Sequence, residues 1–126
     1  MSKERISLGN KGEELAADLL KDSGYKILYR NYKTKLGEID IIAEDKERIC
    51  FIEVKTRSSD RFGCGSEAVL KTKQRQIAKT ALSFLKEKKL LDRKARFDVV
   101  SLDCSSSEPK LDLIKDAFEL DKSFSY

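Results

Sequence analysis

The amino-acid sequence predicts an α/β fold, a mixed central β-sheet flanked by helices in the order helix, strand, strand, strand, helix, strand, strand. Three observations predict it. Two apolar segments, residues 38–43 and 49–56, flank the polar cluster 44–48, the pattern of a strand, a turn and a second strand. Residues 7–23 and a later stretch ending near Lys89 carry apolar side chains at helical spacing. Residues 96–103 are apolar on both alternating faces, as in a strand covered on two sides.

A chain of 126 residues is expected to form one domain with a real hydrophobic core. Its 26 Lys and Arg against 22 Asp and Glu give a net charge of +4, so local patches matter more than the total. The N-terminal residues lack the apolar run of a signal peptide, and no stretch approaches the roughly 20 apolar residues of a membrane span, so a cytoplasmic protein without membrane partners is expected. Cys50, Cys64 and Cys104 are widely spaced and form neither a disulfide framework nor a C-x-x-C zinc pattern. Histidine is absent, which excludes Ser-His-Asp triads, Cys-His dyads, His-ligated zinc and a histidine general base. Nor is there a Walker loop or a dinucleotide glycine fingerprint. Hydrolytic chemistry in this chain must run on carboxylates, lysine and a hard metal ion.

In the first helix Leu15, Ala16, Leu19 and Leu20 form the apolar stripe, and Gly24 is its stop signal. Glu13 falls about 20° from Leu20 on the helical wheel and borders that stripe, whereas Glu14 points to solvent. Taken alone, Glu13 reads as a favourable charge in a first helical turn. Residues 25–32 form a strand, with Tyr25, Ile27 and Tyr29 on one face, followed by a basic turn at 31–35. Residues 56–66, with two glycines and no periodicity, read as a mobile loop of the kind that covers a site. The second helix begins between Ser66 and Lys73 and buries Ile77, Ala78, Ala81, Leu82 and Leu85. Gln74 continues that stripe, while Lys71, Arg75, Lys79 and Lys86 make a basic face that is as well explained by solvation as by phosphate contact. Residues 104–110 form a loop and 111–114 a last strand; Phe118 anchors the chain end and the tail beyond residue 120 is frayed.

The central hairpin holds the anomaly. Alternation places Ile39, Ile41 and Ala43 on one face of its first strand, with Glu38, Asp40 and Ile42 on the other. In the second strand Glu53 and Lys55 share a face with Ile49 and Phe51. A loop of two residues (46–47) or four (45–48) sets Asp40 opposite Glu53 and Glu38 opposite Lys55; the four-residue loop is favoured, because Lys-Glu suits a tight turn poorly. Two carboxylates so close repel unless a proton or cation lies between them. Their hard oxygens suit Mg²⁺ or Mn²⁺, and Lys55 is placed to orient water or stabilise a phosphorane-like transition state. The same spacing also arises in an ordinary cross-strand charge cluster.

At these residues, Gly-Glu-Ile-Asp40 and Phe-Ile-Glu53-Val-Lys55-Thr-Arg57, the chain resembles the metal site of the PD-(D/E)xK, restriction-endonuclease-like nucleases. More closely it is similar to the YraN-like bacterial family related to archaeal Holliday-junction resolvases. That similarity spans residues 8–118 and includes the segment from Gly9 to Glu13 with Ala16, Gly24-Tyr25, Arg30-Asn31, Lys73 and Arg96-Phe-Asp98. Ile39 stands where the superfamily motif has proline. The resemblance implies a Mg²⁺-dependent nuclease acting on DNA, including branched recombination and repair intermediates. It implies metal ligation by Asp40, Glu53 and Glu13, with Lys55 completing the catalytic set. Arg57, Lys71, Lys73, Gln74 and Arg75 are the expected nucleic-acid contacts. A resolvase-like enzyme is also expected to work as a homodimer, since a junction has two scissile strands. The alternative is a non-catalytic nucleic-acid-binding domain of recombination or repair that keeps the fold.

Overall fold

The computed structural model describes residues 2–57, 71–105 and 107–118, with the side chains of 2–10 and of Arg57 left aside. The expected loop after Thr56 and the tail beyond residue 120 fall largely or wholly outside these residues. Helix α1 (Ser2–Asp22) is followed by β1 (Lys26–Thr34), β2 (Gly37–Asp45), β3 (Arg48–Arg57), α2 (Lys71–Glu87), β4 (Ala95–Asp103) and β5 (Lys110–Phe118). This is the predicted order, with a last strand longer than its apolar pattern suggested. The five strands form one sheet in chain order. All neighbours are antiparallel except β3 and β4, which are parallel. Parallel neighbours need a long crossover, and α2 lies within it.

Each helix covers one face. Ala16 and Leu20 of α1 pack with Tyr25, Ile41, Ala43, Cys50, Ile52 and Val100. Ile77, Ala78, Ala81, Phe84 and Leu85 of α2 pack with Ile39, Ile42, Ile49, Phe51, Phe97 and Val99. Helix α1 stops where Gly24 predicts: the Gly24 and Tyr25 N–H groups donate to the Lys21 and Leu20 carbonyls, closing a Schellman motif. On the α2 face Phe84 meets Tyr29, Tyr32 and Phe51 edge to face, Phe51 lies against Phe97, and Phe97 stacks on Phe118 at 4.9 Å. Such pairs contribute about 0.5–1.5 kcal/mol each beyond burial, and they tie β1, β3, β4 and β5 to one helix. Phe118 does anchor β5.

Several local expectations change. Phe84 and Thr80 are buried on α2, whereas Leu82 is only half-buried. The helix is rotated slightly from the stripe read by aliphatic residues alone. The register of β1 against β2 slips between Ile27 and Tyr29. Tyr25 and Ile27 therefore pack on the α1 side, but Tyr29 meets Phe84 on the α2 side, so the expected alternation breaks at Tyr29. The basic segment after Tyr32 is strand as far as Thr34, and the turn itself is only Lys35-Leu36. The central hairpin has the two-residue loop, since Asp45 pairs with Arg48. Lys46 adopts φ 60° there, a conformation the turn imposes on a non-glycine residue.

The β4 segment Arg96-Phe-Asp98 locks the end of the sheet at which β3 begins. Asp98, fully buried, accepts hydrogen bonds from Arg96 Nε (2.9 Å), the Tyr25 hydroxyl (2.7 Å) and the Asp116 N–H (2.8 Å). Arg96 also donates to Asp45 and to the Tyr25 hydroxyl. Four segments thus meet on one buried ion pair. Removing one partner of such a pair strands the other, at about 3–5 kcal/mol. Asp98→Ala is expected to lower stability by about that much in urea denaturation, and Tyr25→Phe by only about 1 kcal/mol. Equal and small losses would show that the network carries little of the fold.

Candidate metal centre

Strand β2 stays with β1 down to Gly37, but its ladder with β3 runs from Asp45–Arg48 only to Ile41–Ile52. Beyond that point the Val54 N–H is taken by a side chain: Asp40 Oδ2 accepts it at 2.8 Å. The alternation of β2 breaks at the same place. Ile39 joins Ile42 in the α2 cluster, while Ile41 faces α1, contrary to the expectation that Ile39 and Ile41 share a face. Asn31, opposite Asp40 in the β1 register, has φ 55°. A local irregularity in two adjacent strands therefore re-aims Asp40 and opens the sheet where Glu53 stands.

The register predicted from the hairpin, continued one step past Ile41–Ile52, brings Asp40 and Glu53 together, and the two side chains share a hydrogen bond. Burial pushes the Glu53 carboxyl up to about 7, with the neighbouring Asp40 charge adding to the shift and Lys73 and Lys55 opposing it. Burial also raises Asp40, against the hydrogen bond from Val54. The charges of Glu13 and Glu38 raise it further. The assignment that fits is a protonated Glu53 donating to an ionised Asp40. Below about pH 7 this pair holds a proton, in the space between two oxygens where a cation would be equally welcome.

Two lysines act on the pair. Lys73 of α2 reaches Glu53 Oε2 at 3.6 Å, and the Lys55 charge, two residues along β3, also favours the ionised Glu53. Glu13 approaches from α1. Its predecessor Gly12 lets the helix lie close on the sheet: a β-carbon there would come within 3.2 Å of Leu102 Cδ2 and 3.4 Å of Thr56 Oγ1. Glu13 is half-buried with Arg30 Nη2 at 4.0 Å, whereas Glu14 is exposed and pairs directly with Arg30. Among the described residues no three acidic or cysteine side chains gather tightly enough to hold an ion by themselves. Glu13 thus stands near Asp40 through its charge, and the close pair is Asp40–Glu53.

Of the expected nucleic-acid contacts, Lys73 lies at the carboxylate pair itself. Lys71 and Arg75 are exposed and Gln74 is half-buried. Arg57 closes β3 opposite Asp103 of β4. Lys73 continues the helical stripe Ile77, Thr80 and Phe84, in which the structure reveals the burial of Thr80 and Phe84 that the sequence reading missed. Arg30, which steadies the α1 acids, carried no comparable signal.

The comparisons with known proteins agree with one another. A family model described as "Uncharacterised protein family UPF0102" matches residues 12–102, which include every member of the site. The chain belongs to UPF0102. A UPF0102 protein of Geobacter metallireducens is 49% identical over 120 residues, covering 95% of this chain and 98% of its own. Another from Syntrophus aciditrophicus is 45% identical, with 93% and 92% covered, and one from Caldicellulosiruptor saccharolyticus is 49% identical, with 88% and 96% covered. This UPF0102 chain has no helix, among the described residues, long and apolar enough to cross a membrane. Its donor set fits a hard divalent cation: two carboxylates, one of which would give up a proton on binding, with water left to supply the remaining ligands.

A carboxyl raised in the folded state favours folding while it is protonated. The Glu53 contribution is fully present below its ordinary value of 4.5 and is lost as pH rises through about 7. In EDTA, the melting temperature of the natural chain should therefore fall relative to that of Glu53→Gln across this interval, since glutamine stays neutral. At pH 8, Mg²⁺ should raise the melting temperature of the natural chain and leave Glu53→Gln nearly unmoved. A pH-independent difference between the two proteins would show that Glu53 titrates normally.

Proposed function

We propose that this UPF0102 protein is a divalent-metal-dependent endonuclease of the PD-(D/E)xK type, hydrolysing phosphodiester bonds in DNA. The observation that carries the reading is the Asp40–Glu53 pair. Two carboxyls, Glu53 buried and Asp40 half-buried, share a proton at the point where a strand pair opens, with two lysines acting on Glu53. Holding a desolvated acid pair costs stability, and a fold that needed only packing would place apolar residues there.

Asp40 and Glu53 would hold Mg²⁺ or Mn²⁺, with Glu13 on the same side through its influence on Asp40. Such an ion neutralises charge on a phosphoryl group and lowers the pKa of a bound water. The Val54 N–H fixes Asp40 in orientation, and Lys73 restrains Glu53 from the α2 side. Lys55, half-buried on the same strand, is the remaining cation for a developing negative charge. With histidine absent, the Asp40–Glu53 pair, with Glu53 pushed up to about 7, is the group at this site that can hold or release a proton near neutral pH.

A second reading, a DNA-binding accessory domain of recombination or repair, draws on the lack of a three-acid cluster among the described residues. The test separates them. Labelled four-way junction, linear duplex and single strand are incubated with the protein in Mg²⁺, Mn²⁺ or EDTA, with Asp40→Asn and Glu53→Ala alongside. Metal-dependent cutting that falls to the EDTA background in both variants is expected. A preference for the junction would bring with it a two-fold dimer, checked by light scattering. Binding without cutting in every metal would establish the accessory reading instead.

A further inference from the structure

We infer that the trough between the β1–β2 turn and the exposed face of α2 is the track for a DNA backbone, with Leu36 as an apolar contact to a sugar or base edge. This rests on the nuclease reading and extends it to the surface that holds the substrate. Two adjoining hollows, of about 600 Å³ and 400 Å³, share Leu36 and Lys79 and run along one side of α2. Their charged lining is Lys35, Lys73, Arg75, Lys79 and Lys86, with no acid among them. Among the described residues only Lys73 of these has an ion-pair partner, and that partner is Glu53. Lys73 thus joins the first hollow to the carboxylate pair.

The spacing suits a polyanion. Arg75, Lys79 and Lys86 fall at helical offsets of four and seven residues on one face, and span about 16 Å along the axis. That is the rise of about five base pairs of duplex. Leu36 is 47% exposed and stands at the tip of the Lys35-Leu36 turn, beside the row of cations. Gly37 holds that tip down on α2: a β-carbon there would lie 2.6 Å from Gln76 Cγ and 3.0 Å from Thr80 Oγ1. An apolar side chain presented among cations can meet a sugar or a thymine methyl at a groove edge while the cations hold phosphates. Size does not select this trough, since a hollow of about 720 Å³ lies at the other end of the sheet. There, however, Asp45, Glu47 and Asp92 are interspersed with the cations.

The test is fluorescence anisotropy of a labelled linear DNA duplex with Asp40→Asn protein in EDTA, so that binding is read without cutting. Adding Lys79→Ala and Lys86→Ala should weaken binding about tenfold or more and reduce the slope of log K against log salt by about 2. Leu36→Ala should weaken it several-fold with the slope unchanged, because no phosphate contact is lost. Lys46→Ala with Lys94→Ala, which removes the same charge from the opposite hollow, should change little. Loss of affinity in that control with none in the trough variant, or no binding by the parent, overturns the proposal. Trough-dependent binding by a chain that never cuts would sink the nuclease reading alone. Undiminished cutting by the natural chain carrying Lys79→Ala and Lys86→Ala, assayed at sub-saturating DNA, would sink the trough alone.

Discussion

One hydrogen bond sets the geometry of the candidate site, the Val54 N–H to the Asp40 carboxylate. In a continuous ladder that N–H would pair with a backbone carbonyl of β2. Here a side chain satisfies it, so β2 can part from β3 without leaving a buried donor unpaired. The opening gives Asp40 and Glu53 room beside each other, and the Asn31 irregularity in β1 lets the neighbouring strand follow. The same bond partly compensates the charge on Asp40, which burial and the acids Glu13 and Glu38 oppose.

The two ends of the sheet solve the problem of buried charge in different ways. At the Arg96–Asp98 end the buried charges pair directly: Arg96 holds Asp98 and Asp45, and Asp98 also takes the Asp116 N–H. Among the described residues no buried side-chain polar atom lacks a hydrogen-bond partner. At the Asp40–Glu53 end, acid faces acid, and a proton and Lys73 supply the compensation. A closed ion pair gives rigidity, whereas an acid pair sharing one proton leaves a place that a cation can take. The Arg96–Asp98 network therefore serves the platform, and the Asp40–Glu53 pair is the candidate site that the platform carries.

Helix α2 connects the two roles. Its buried stripe, Ile77, Ala81, Phe84 and Leu85, fastens it across the sheet through the aromatic chain from Tyr29 to Phe118. With the helix so held, Lys73 has a fixed route to Glu53, and Arg75, Lys79 and Lys86 are presented to solvent. Nothing in a helix dictates that its polar face be basic throughout. In this one the basic face borders the hollows beside the β1–β2 turn, and Lys73 near its start reaches Glu53 of the acid pair.

The sequence by itself determined the order of the elements, the central placement of β4, the stop of α1 at Gly24 and the nearness of Asp40 to Glu53. Each depends on a local period or on the register of a single hairpin, and these are legible over a few residues. Only the tertiary structure decided the two-residue loop, the exchange of faces at Asp40, the inward turn of Phe84 and the reach of Lys73 to Glu53. Those depend on how elements distant in the chain press on one another: a bulge in β1 is answered in β2, and α2 rotates to seat an aromatic ring. The pH at which Glu53 gives up its proton belongs to this second class, because desolvation is a property of the packed whole and no residue type carries it alone.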